Sequence, residues 1–217
     1  MGLLFNNISS NNLFTYKVVY DAGNAPNPYS ELCTLAICKP AIRRVAKVGD
    51  VVVGFVCKSN LDDEHRLIYC MIIDDVLTWD AYIGACKAGN YQNRVPTSPT
   101  HPGDCIWSCT ESAHEPLLSW SDHGIDDFNN DVKVGENVLI GKRYWYFGGG
   151  DDQNICTNEE LPLVRSSHRS RSNDLARRKA FEMSFTKELT ERNILKPGKY
   201  GEPKISPGFD DQIYRSM

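Results

Sequence analysis

The chain has 217 residues, of which 41% are hydrophobic and 24% are charged, and its formal net charge is -4. This balance excludes an intrinsically disordered chain, which combines few apolar residues with a high net charge. No apolar run approaches the ~18 residues of a membrane span, and the first residues lack the basic and apolar regions of a signal peptide. We therefore expect a single domain in the cytoplasm, with no membrane partner.

The eight cysteines are distributed along the chain without a Cys-x-x-Cys pair or a second pair at zinc-ligand spacing. Several of them, such as Cys57 and Cys70, lie in strand-like apolar runs. We interpret them as reduced, buried thiols that act as small hydrophobic side chains, as expected in a reducing compartment. No metal or other cofactor is predicted.

Charge is distributed unevenly. Residues 1–162 hold 12 Lys or Arg and 21 Asp or Glu, a net of -9, whereas residues 163–217 hold 12 and 7, a net of +5. The basic excess in residues 163–217 would attract anionic partners. The alternative is a solvated helix entry that pairs with the acidic body.

The predicted strands follow turns rich in Gly and Pro. Aromatic and β-branched residues over 13–21 predict a strand, and the Pro-rich segment 22–30 predicts a rigid loop. Residues 32–40 fit either a short strand or a helical turn. The runs 48–57 and 66–77 predict two strands of a hairpin.

The same order of a Gly-containing turn and an apolar run recurs later in the chain. It occurs in PGDCIWSC (102–109) and in VGENVLIGKRYWYFG (134–148). We expect these runs to be further strands of one curled sheet or barrel, followed by a loop over 148–162.

Two helices are predicted. Residues 78–94 fit a short helix and loop, with Thr78 as the N-cap and an apolar face formed by Trp79, Tyr82 and Ile83. The segment 174–195 is the best helix, with Asp174 as a plausible N-cap and Pro197-Gly198 as a stop. Its buried face is predicted to comprise Phe181, Phe185 and Leu189.

The first candidate site is the Pro-rich loop, where Asp21, Asn24 and Asn27 follow a strand. The Asn amide both donates and accepts hydrogen bonds, so it suits the edge of a nucleobase. The alternative is that these residues only form the turn.

The second candidate site is a basic segment with Lys39, Arg43, Arg44 and Lys47. If residues 41–47 are helical, Arg43 and Lys47 share a face that could contact phosphate, or that only faces solvent. We expect Arg43 and Arg44 to lie on the wall of a ligand site opposite Asp21, Asn24 and Asn27, because both connections can fall at one end of a barrel.

The third candidate is His168, which lies between Arg165 and Arg169. The neighbouring positive charges favour neutral imidazole, which suits a general base or an anion contact. A lone His in a loop is more often neither. Aromatic residues near these segments could stack on a base, although most are expected in the core: Tyr29, Trp107, Tyr144, Trp145, Tyr146 and Phe147.

The segment FTYKVVYDAGNAPNPYSELCTLAICKPAIRRVAKVGDVVVGF resembles the opening of the nucleotide-modification-associated domain 2 family. Later matches are IYCMIIDDVLTWDAYI, PGDCIW, VLIGKRYWYFG and the Ser-His-Arg of 167–169, so the resemblance covers about residues 13–170. Such proteins occur beside phage and bacterial systems that hypermodify DNA bases. The resemblance implies a modified nucleotide or DNA as ligand, and DNA-modification enzymes as partners.

A more distant similarity is to the PUA-like barrels of the ASCH and EVE domains, carried by KPAIRRVAKVGDVVVGF. Many of these barrels bind RNA or modified bases in a cleft. Some ASCH domains are amidohydrolases that use Lys, Thr and an acid. This similarity implies that Lys39, Thr34 and either Asp74 or Asp75 could form a catalytic set.

The sequence thus predicts an α+β fold with a mainly antiparallel, partly closed PUA-like barrel, short helices and one long C-terminal helix. Its expected parts are a flexible N-terminus (1–12), a β-rich body (13–163), and a basic segment with the helix and tail (164–217). The predicted function is binding of a modified nucleotide or DNA, at Asp21, Asn24, Asn27, Lys39, Arg43, Arg44, Arg165, His168 and Arg169. The alternative is an amidohydrolase- or transferase-like enzyme acting on a modified base, with Lys39, Thr34 or His168 in catalysis.

Overall fold

The computed structural model describes residues 12–56, 66–91, 93–97, 101–107, 123, 125–149, 155–156, 170–172 and 175–204. The strands are β1 (Leu13–Val18), β2 (Cys33–Leu35), β3 (Val51–Val56), β4 (Arg66–Ile72), β5 (Asp75–Thr78), β6 (Asn137–Gly141), β7 (Arg143–Tyr146), β8 (Ile155–Cys156), β9 (Ser170–Ser172) and β10 (Gly198–Lys199). The helices are α1 (Pro40–Arg43), α2 (Trp79–Lys87), α3 (Ile125–Phe128), a π-helix (Asn129–Val134) and α4 (Leu175–Glu191).

The strands form two sheets. The larger has the order β10-β7-β4-β3-β1-β9, with β8 also paired to β4, and the smaller has the order β2-β6-β5. β1 pairs with β3, and β7 with β10, in parallel, whereas the other pairings among the described strands are antiparallel. The α+β class is therefore confirmed. The described strands do not close into a barrel, so the PUA-like barrel stays a prediction.

β3 lies at the centre of the core, which explains its continuous apolar sequence. Val51, Val53 and Phe55 belong to the apolar cluster beneath α4, and Val52 and Val56 belong to the cluster on the opposite face of the sheet. A strand covered on both faces needs apolar residues at every position rather than at alternate ones. The predicted pairing of this strand with β4 is confirmed, while residues 57–65 of the hairpin lie outside the described part of the chain.

α4 covers one face of the large sheet through the three side chains predicted from sequence. Phe181, Phe185 and Leu189 are buried, and the Phe185 ring lies 5.4 Å from that of Trp145. The helix ends at Glu191, before the predicted stop, and Asn193 then adopts a left-handed φ of 56°. The predicted N-cap, Asp174, lies outside the described residues. In α2, Thr78 accepts a hydrogen bond from the Ala81 N–H at 3.3 Å, as predicted.

The run 134–148 forms two strands in different sheets, so the prediction of one curled sheet is wrong. The chain changes sheets at Lys142, between β6 and β7. The Asp74 carboxylate accepts hydrogen bonds there from the Lys142 and Arg143 backbone N–H groups, at 2.8 and 3.1 Å. This side chain replaces the ladder partners that the break removes.

The segment 102–109 also differs from its prediction. Within the described residues 101–107 it forms an isolated bridge at Trp107 rather than a strand. Asp104, Cys105 and Trp107 are nevertheless fully buried. The alternation of apolar residues predicted the burial of this segment correctly. It predicted a strand incorrectly, because a segment can be buried without pairing with a neighbouring strand.

Five of the described cysteines carry free thiols. Cys33, Cys70, Cys86 and Cys105 are buried, as predicted, whereas Cys38 is partly exposed. In the part of the chain that the structure describes, no helix is long and apolar enough to cross a membrane.

Candidate functional site

The Pro-rich loop places Asp21 inside the protein. Its carboxylate accepts the Tyr146 hydroxyl, with distances of 2.7 and 2.9 Å to the two oxygens, and further hydrogen bonds from the N–H groups of Lys204, Gly149 and Gly23. Burial raises the pKa of Asp21 to about 6, although these hydrogen bonds oppose the change. Asp21 therefore ties the loop to β7 and to the C-terminal segment.

Asn27 has the geometry of a turn residue. It is fully buried, its Nδ2 donates to the Pro102 carbonyl at 2.6 Å, and its Oδ1 accepts the Tyr29 N–H at 3.3 Å. Its amide therefore holds the loop against the 101–107 segment. Asn24 is only partly buried in the same loop, and its contact with a ligand stays a prediction.

Thr34 belongs to a buried polar cluster with Arg94, Asp104 and Tyr82. The Thr34 hydroxyl donates to Asp104 Oδ2 and accepts from Arg94 Nη1 at 2.8 Å. The Tyr82 hydroxyl donates to Asp104 Oδ1 at 2.6 Å. Burial raises the pKa of Asp104, against the opposing effects of Arg94 and both hydroxyls. This cluster joins β2 to α2 and to the 101–107 segment.

The Arg94 guanidinium also binds backbone carbonyls in and next to the Pro-rich loop. Its Nη1 donates to the Asn27 carbonyl at 3.1 Å, and its Nη2 donates to the Tyr29 and Leu32 carbonyls at 2.7 and 3.0 Å. The guanidinium thus meets the carbonyl groups of a loop that has few ladder partners of its own. The conformation at Tyr29 depends on this buried cation.

Arg43 is fully buried and its nitrogens bind backbone carbonyls. Nε donates to Cys38 at 2.7 Å, Nη1 to Asn137 at 2.7 Å and Nη2 to Asp131 at 2.8 Å. Burial lowers the pKa of Arg43 to about 10, and the charge of Asp131 opposes this. Phosphate contact by Arg43 requires an exposure that this arrangement does not provide.

The remaining basic residues near Arg43 do not form the predicted face. α1 ends at Arg43, so residues 41–47 are not one helix. Arg43 is buried, whereas Arg44 and Lys47 are exposed, so Arg43 and Lys47 do not share an exposed face. Lys39 is partly buried, with its Nζ 4.9 Å from the centroid of the Tyr16 ring. The geometry therefore separates Arg43, an internal brace, from Arg44, an accessible cation.

The two acids proposed for a Lys-Thr-acid set, Asp74 and Asp75, have hydrogen-bond partners other than Thr34. Burial alone would raise the pKa of Asp74, but hydrogen bonds from Arg143 and from the Lys142 N–H lower it overall. Asp75 is exposed and accepts the Val76 N–H at 2.8 Å. The acid bonded to Thr34 is Asp104. The predicted residues Arg165, His168 and Arg169 lie outside the described residues.

An open groove of about 640 Å³ lies beside the Pro-rich loop. The 28–31 segment forms one side, the turn into β7 another, and residues 196–199 a third. Its lining residues are Pro28, Tyr29, Ser30, Glu31, Lys142, Tyr144, Lys196, Pro197, Gly198 and Lys199. Three lysines and one glutamate give it a positive balance, and Tyr29 supplies aromatic surface, whereas the Tyr144 ring is buried.

Contacts within the groove fix its two tyrosines. The Tyr144 hydroxyl donates to the Pro28 carbonyl at 3.0 Å, and Lys199 Nζ lies 5.0 Å from the centroid of the Tyr29 ring. Lys199 also pairs with Glu202. Burial, with the charges of Glu202 and Asp21, raises the pKa of Tyr29 to about 12, so its hydroxyl stays neutral and can donate.

A second polar arrangement connects Cys38, His123 and Asp131. Cys38 Sγ lies 3.5 Å from His123 Nε2, and His123 Nδ1 lies 2.6 Å from Asp131 Oδ2. The Cys38 N–H donates to Asp131 Oδ1 at 2.8 Å. The histidine side chain is 16% exposed and the aspartate 1%, so the arrangement runs from the surface into the core.

Sequence reasoning missed most of these residues. Tyr29 and Tyr144 were named as stacking candidates, but Lys142, inside a quoted run, and Lys196 and Lys199, beside the predicted helix stop, were not named as site residues. Cys38 lies inside a quoted motif, yet His123 and Asp131 lie 85 and 93 positions away along the chain. Only folding brings such distant residues together.

The fold and site define an α+β protein with a tyrosine- and lysine-lined groove beside a braced Pro-rich loop. That chemistry suits an anionic ligand with an aromatic part. The chain belongs to the nucleotide modification associated domain 2 family, whose model matches residues 10–204, and this confirms the resemblance of its opening segment. The family associates the protein with nucleotide modification. No curated protein and no solved structure matches the chain.

Proposed function

We propose that this domain binds a modified nucleotide in the groove beside the Pro-rich loop. The observation that carries the proposal is the convergence of Tyr29 and Tyr144 with Lys142, Lys196 and Lys199 in a protein of a nucleotide-modification family. The partly exposed Tyr29 ring offers a stacking surface to a base, and lysine ammonium groups attract phosphate.

The volume of the groove and the net charge of the protein favour a nucleotide or a short single strand over duplex DNA. A groove of about 640 Å³ falls in the usual range for small-ligand sites. A net charge of -4 opposes general coating of DNA, whereas a local lysine cluster attracts one or two phosphates. The partners implied by the family, DNA-modification enzymes, would supply or use such a ligand.

The ring of Tyr29 can be tested separately from its hydroxyl. Titration calorimetry with the common deoxynucleoside 5′-monophosphates and with 5-hydroxymethyl-dCMP measures the affinity. We expect Tyr29→Ala to weaken binding by roughly 5- to 100-fold, the equivalent of a lost base stack, and Tyr29→Phe to retain most of it. Equal affinity of the wild type and Tyr29→Ala would contradict the stacking role.

A lysine of α4 outside the groove provides a matched control for the groove lysines. Lys196→Ala should weaken nucleotide binding and reduce its dependence on salt, because a phosphate loses a nearby cation. Lys187, an exposed lysine of α4, does not line the groove, so Lys187→Ala should bind as the wild type does. Equal losses in both variants would point to net charge rather than to the groove. If duplex DNA bound much more tightly than every mononucleotide, the proposal of a small ligand would be wrong and the ligand would be duplex DNA.

A further inference from the structure

Cys38, His123 and Asp131 form a series of hydrogen-bonded side chains, none of which lines the groove described above. The sulfur contacts one imidazole nitrogen at 3.5 Å, and the carboxylate contacts the other at 2.6 Å. The imidazole thus lies between a thiol and a carboxylate, which is the order of groups in a cysteine nucleophile, its base and the residue that orients the base.

Asp131 is held firmly enough to orient the histidine. Its carboxylate accepts the Cys38 N–H at 2.8 Å and Trp107 Nε1–H at 3.2 Å, and Arg43 Nη2 lies 3.6 Å away. Its carbonyl accepts Trp79 Nε1–H at 2.8 Å. It also lies in the π-helix, an irregular element that is frequent at functional sites.

Cys38 occupies a backbone position that fixes the direction of its side chain. Its φ is 59° and that of Lys39 is 44°, so two consecutive non-glycine residues are left-handed. This conformation is strained for a residue with a side chain and persists only where its surroundings enforce it. Here the Cys38 N–H is bound by Asp131 and its carbonyl by Arg43, at 2.8 and 2.7 Å.

The charge environment of His123 suits an ion pair with the thiolate. Burial acts to lower its pKa, but the hydrogen bonds to Asp131 and Cys38 raise it to about 11. A protonated imidazole beside a cysteine sulfur favours the thiolate, which is the nucleophilic form. Partial exposure of Cys38, in contrast to the buried Cys33, Cys70, Cys86 and Cys105, gives a reagent access to it.

We propose that Cys38 is a catalytic nucleophile that takes up the acyl group of an amide or ester, with His123 as its acid and base and Asp131 as the positioning residue. This activity goes beyond nucleotide binding and uses residues that the binding proposal does not. It also places enzyme chemistry on other residues than Thr34 and Lys39, since the Thr34 hydroxyl is bonded to buried Asp104.

The reaction balances without a further reagent. In the resting pair the Cys38 proton lies on His123 Nε2, and the electron pair of the thiolate forms a C–S bond to the acyl carbon. The C–N or C–O bond of the substrate then breaks, and the leaving amine or alcohol takes the proton from His123. Water adds to the thioester, the now neutral His123 accepts its proton, and the C–S bond breaks to release the carboxylic acid and restore the pair of thiolate and protonated His123.

Site-resolved alkylation tests the activation of the thiol. Purified full-length protein is treated with iodoacetamide between pH 5 and 9, and the Cys38 peptide is followed by mass spectrometry. We expect rapid alkylation of Cys38 in the wild type, because its sulfur contacts His123 Nε2 at 3.5 Å and is partly exposed. In His123→Gln we expect slow alkylation that rises with pH as an ordinary thiol does. Identical pH profiles in the two proteins would overturn the proposal.

An ester probe tests the covalent step. p-Nitrophenyl acetate should release a burst of nitrophenolate and leave one acetyl group on Cys38, detected in the digested protein. Cys38→Ala should lose the burst, and His123→Gln should slow acetylation roughly a hundredfold, the usual scale of acid-base catalysis. Acetyl groups on lysines alone, or equal acetylation rates in the wild type and His123→Gln, would refute the triad.

The matched control is His101, a partly buried histidine outside the series that accepts the Gly103 N–H at 3.1 Å. His101→Gln should react as the wild type does. Thermal unfolding of each variant verifies that it is folded, and His123→Gln leaves the backbone contacts of Asp131 with Trp79 and Arg43 in place. Loss of reactivity in His101→Gln equal to that in His123→Gln would overturn the assignment.

Discussion

The Asp21→Asn substitution removes a buried carboxyl group whose ionisation opposes folding. Burial raises the pKa of Asp21 from an ordinary value of 3.8 to about 6. The folded protein therefore binds a proton over this interval that the unfolded chain has already lost, and the free energy of unfolding falls as the pH rises through it. At ~1.36 kcal/mol for each pKa unit, the total loss is about 3 kcal/mol.

The pH window belongs to Asp21 rather than to its neighbours. The pKa values of Tyr146 and Tyr29 are raised by burial, the first well above its ordinary value and the second to about 12, so both hydroxyls stay neutral between pH 4 and 7. We expect the difference in unfolding free energy between the wild type and Asp21→Asn to change by about 3 kcal/mol from pH 3.5 to pH 7.5.

Urea denaturation at a series of pH values measures this difference. Asp75→Asn is the control, because that aspartate is exposed and an amide oxygen can still accept the Val76 N–H. Its stability should follow the wild-type pH profile. The reasoning is refuted if Asp21→Asn runs parallel to the wild type, or if the advantage of the wild type over the variant grows as the pH rises.

Two further substitutions test the core. Arg94→Met should destabilise the protein by about 3–5 kcal/mol in urea denaturation, because it leaves Asp104 buried without its cation; a cost below about 1 kcal/mol would contradict this role for the cluster. Phe185→Ala should cost about 3–5 kcal/mol because the ring is fully buried against Trp145. Met183→Ala, at a side chain 66% exposed on the same helix, should stay within about 0.5 kcal/mol, and equal costs in the two helix variants would show that α4 does not pack through Phe185.

Local sequence patterns predicted the regular elements wherever one physical signal dominated. The spacing of Phe181, Phe185 and Leu189 identified the buried face of α4, and the cap at Thr78 identified the start of α2. These features depend on residues within a few positions of each other, so a single chain displays them. The apolar run of β3 likewise predicted a strand, and the structure buries both of its faces.

The predictions were wrong where a local sequence pattern is compatible with two different tertiary arrangements. Residues 134–148 alternate as one strand would, but the chain crosses to another sheet at Lys142, where Asp74, far away along the chain, accepts the backbone hydrogen bonds. Arg43 has the sequence context of a surface cation, and it became an internal brace because three carbonyls from separate segments converge on it.

The sequence by itself determined the class of elements, the apolar faces and the family, because these follow from neighbouring residues and from a long matching motif. Tertiary structure alone decided which polar groups are accessible and which meet. Asn27 and Thr34 were predicted at a ligand or catalytic site and are fully buried, while Cys38 meets His123 and Asp131 across 85 and 93 positions of chain. A side chain's exposure and long-range partners depend on how distant segments pack, and no local spacing encodes them.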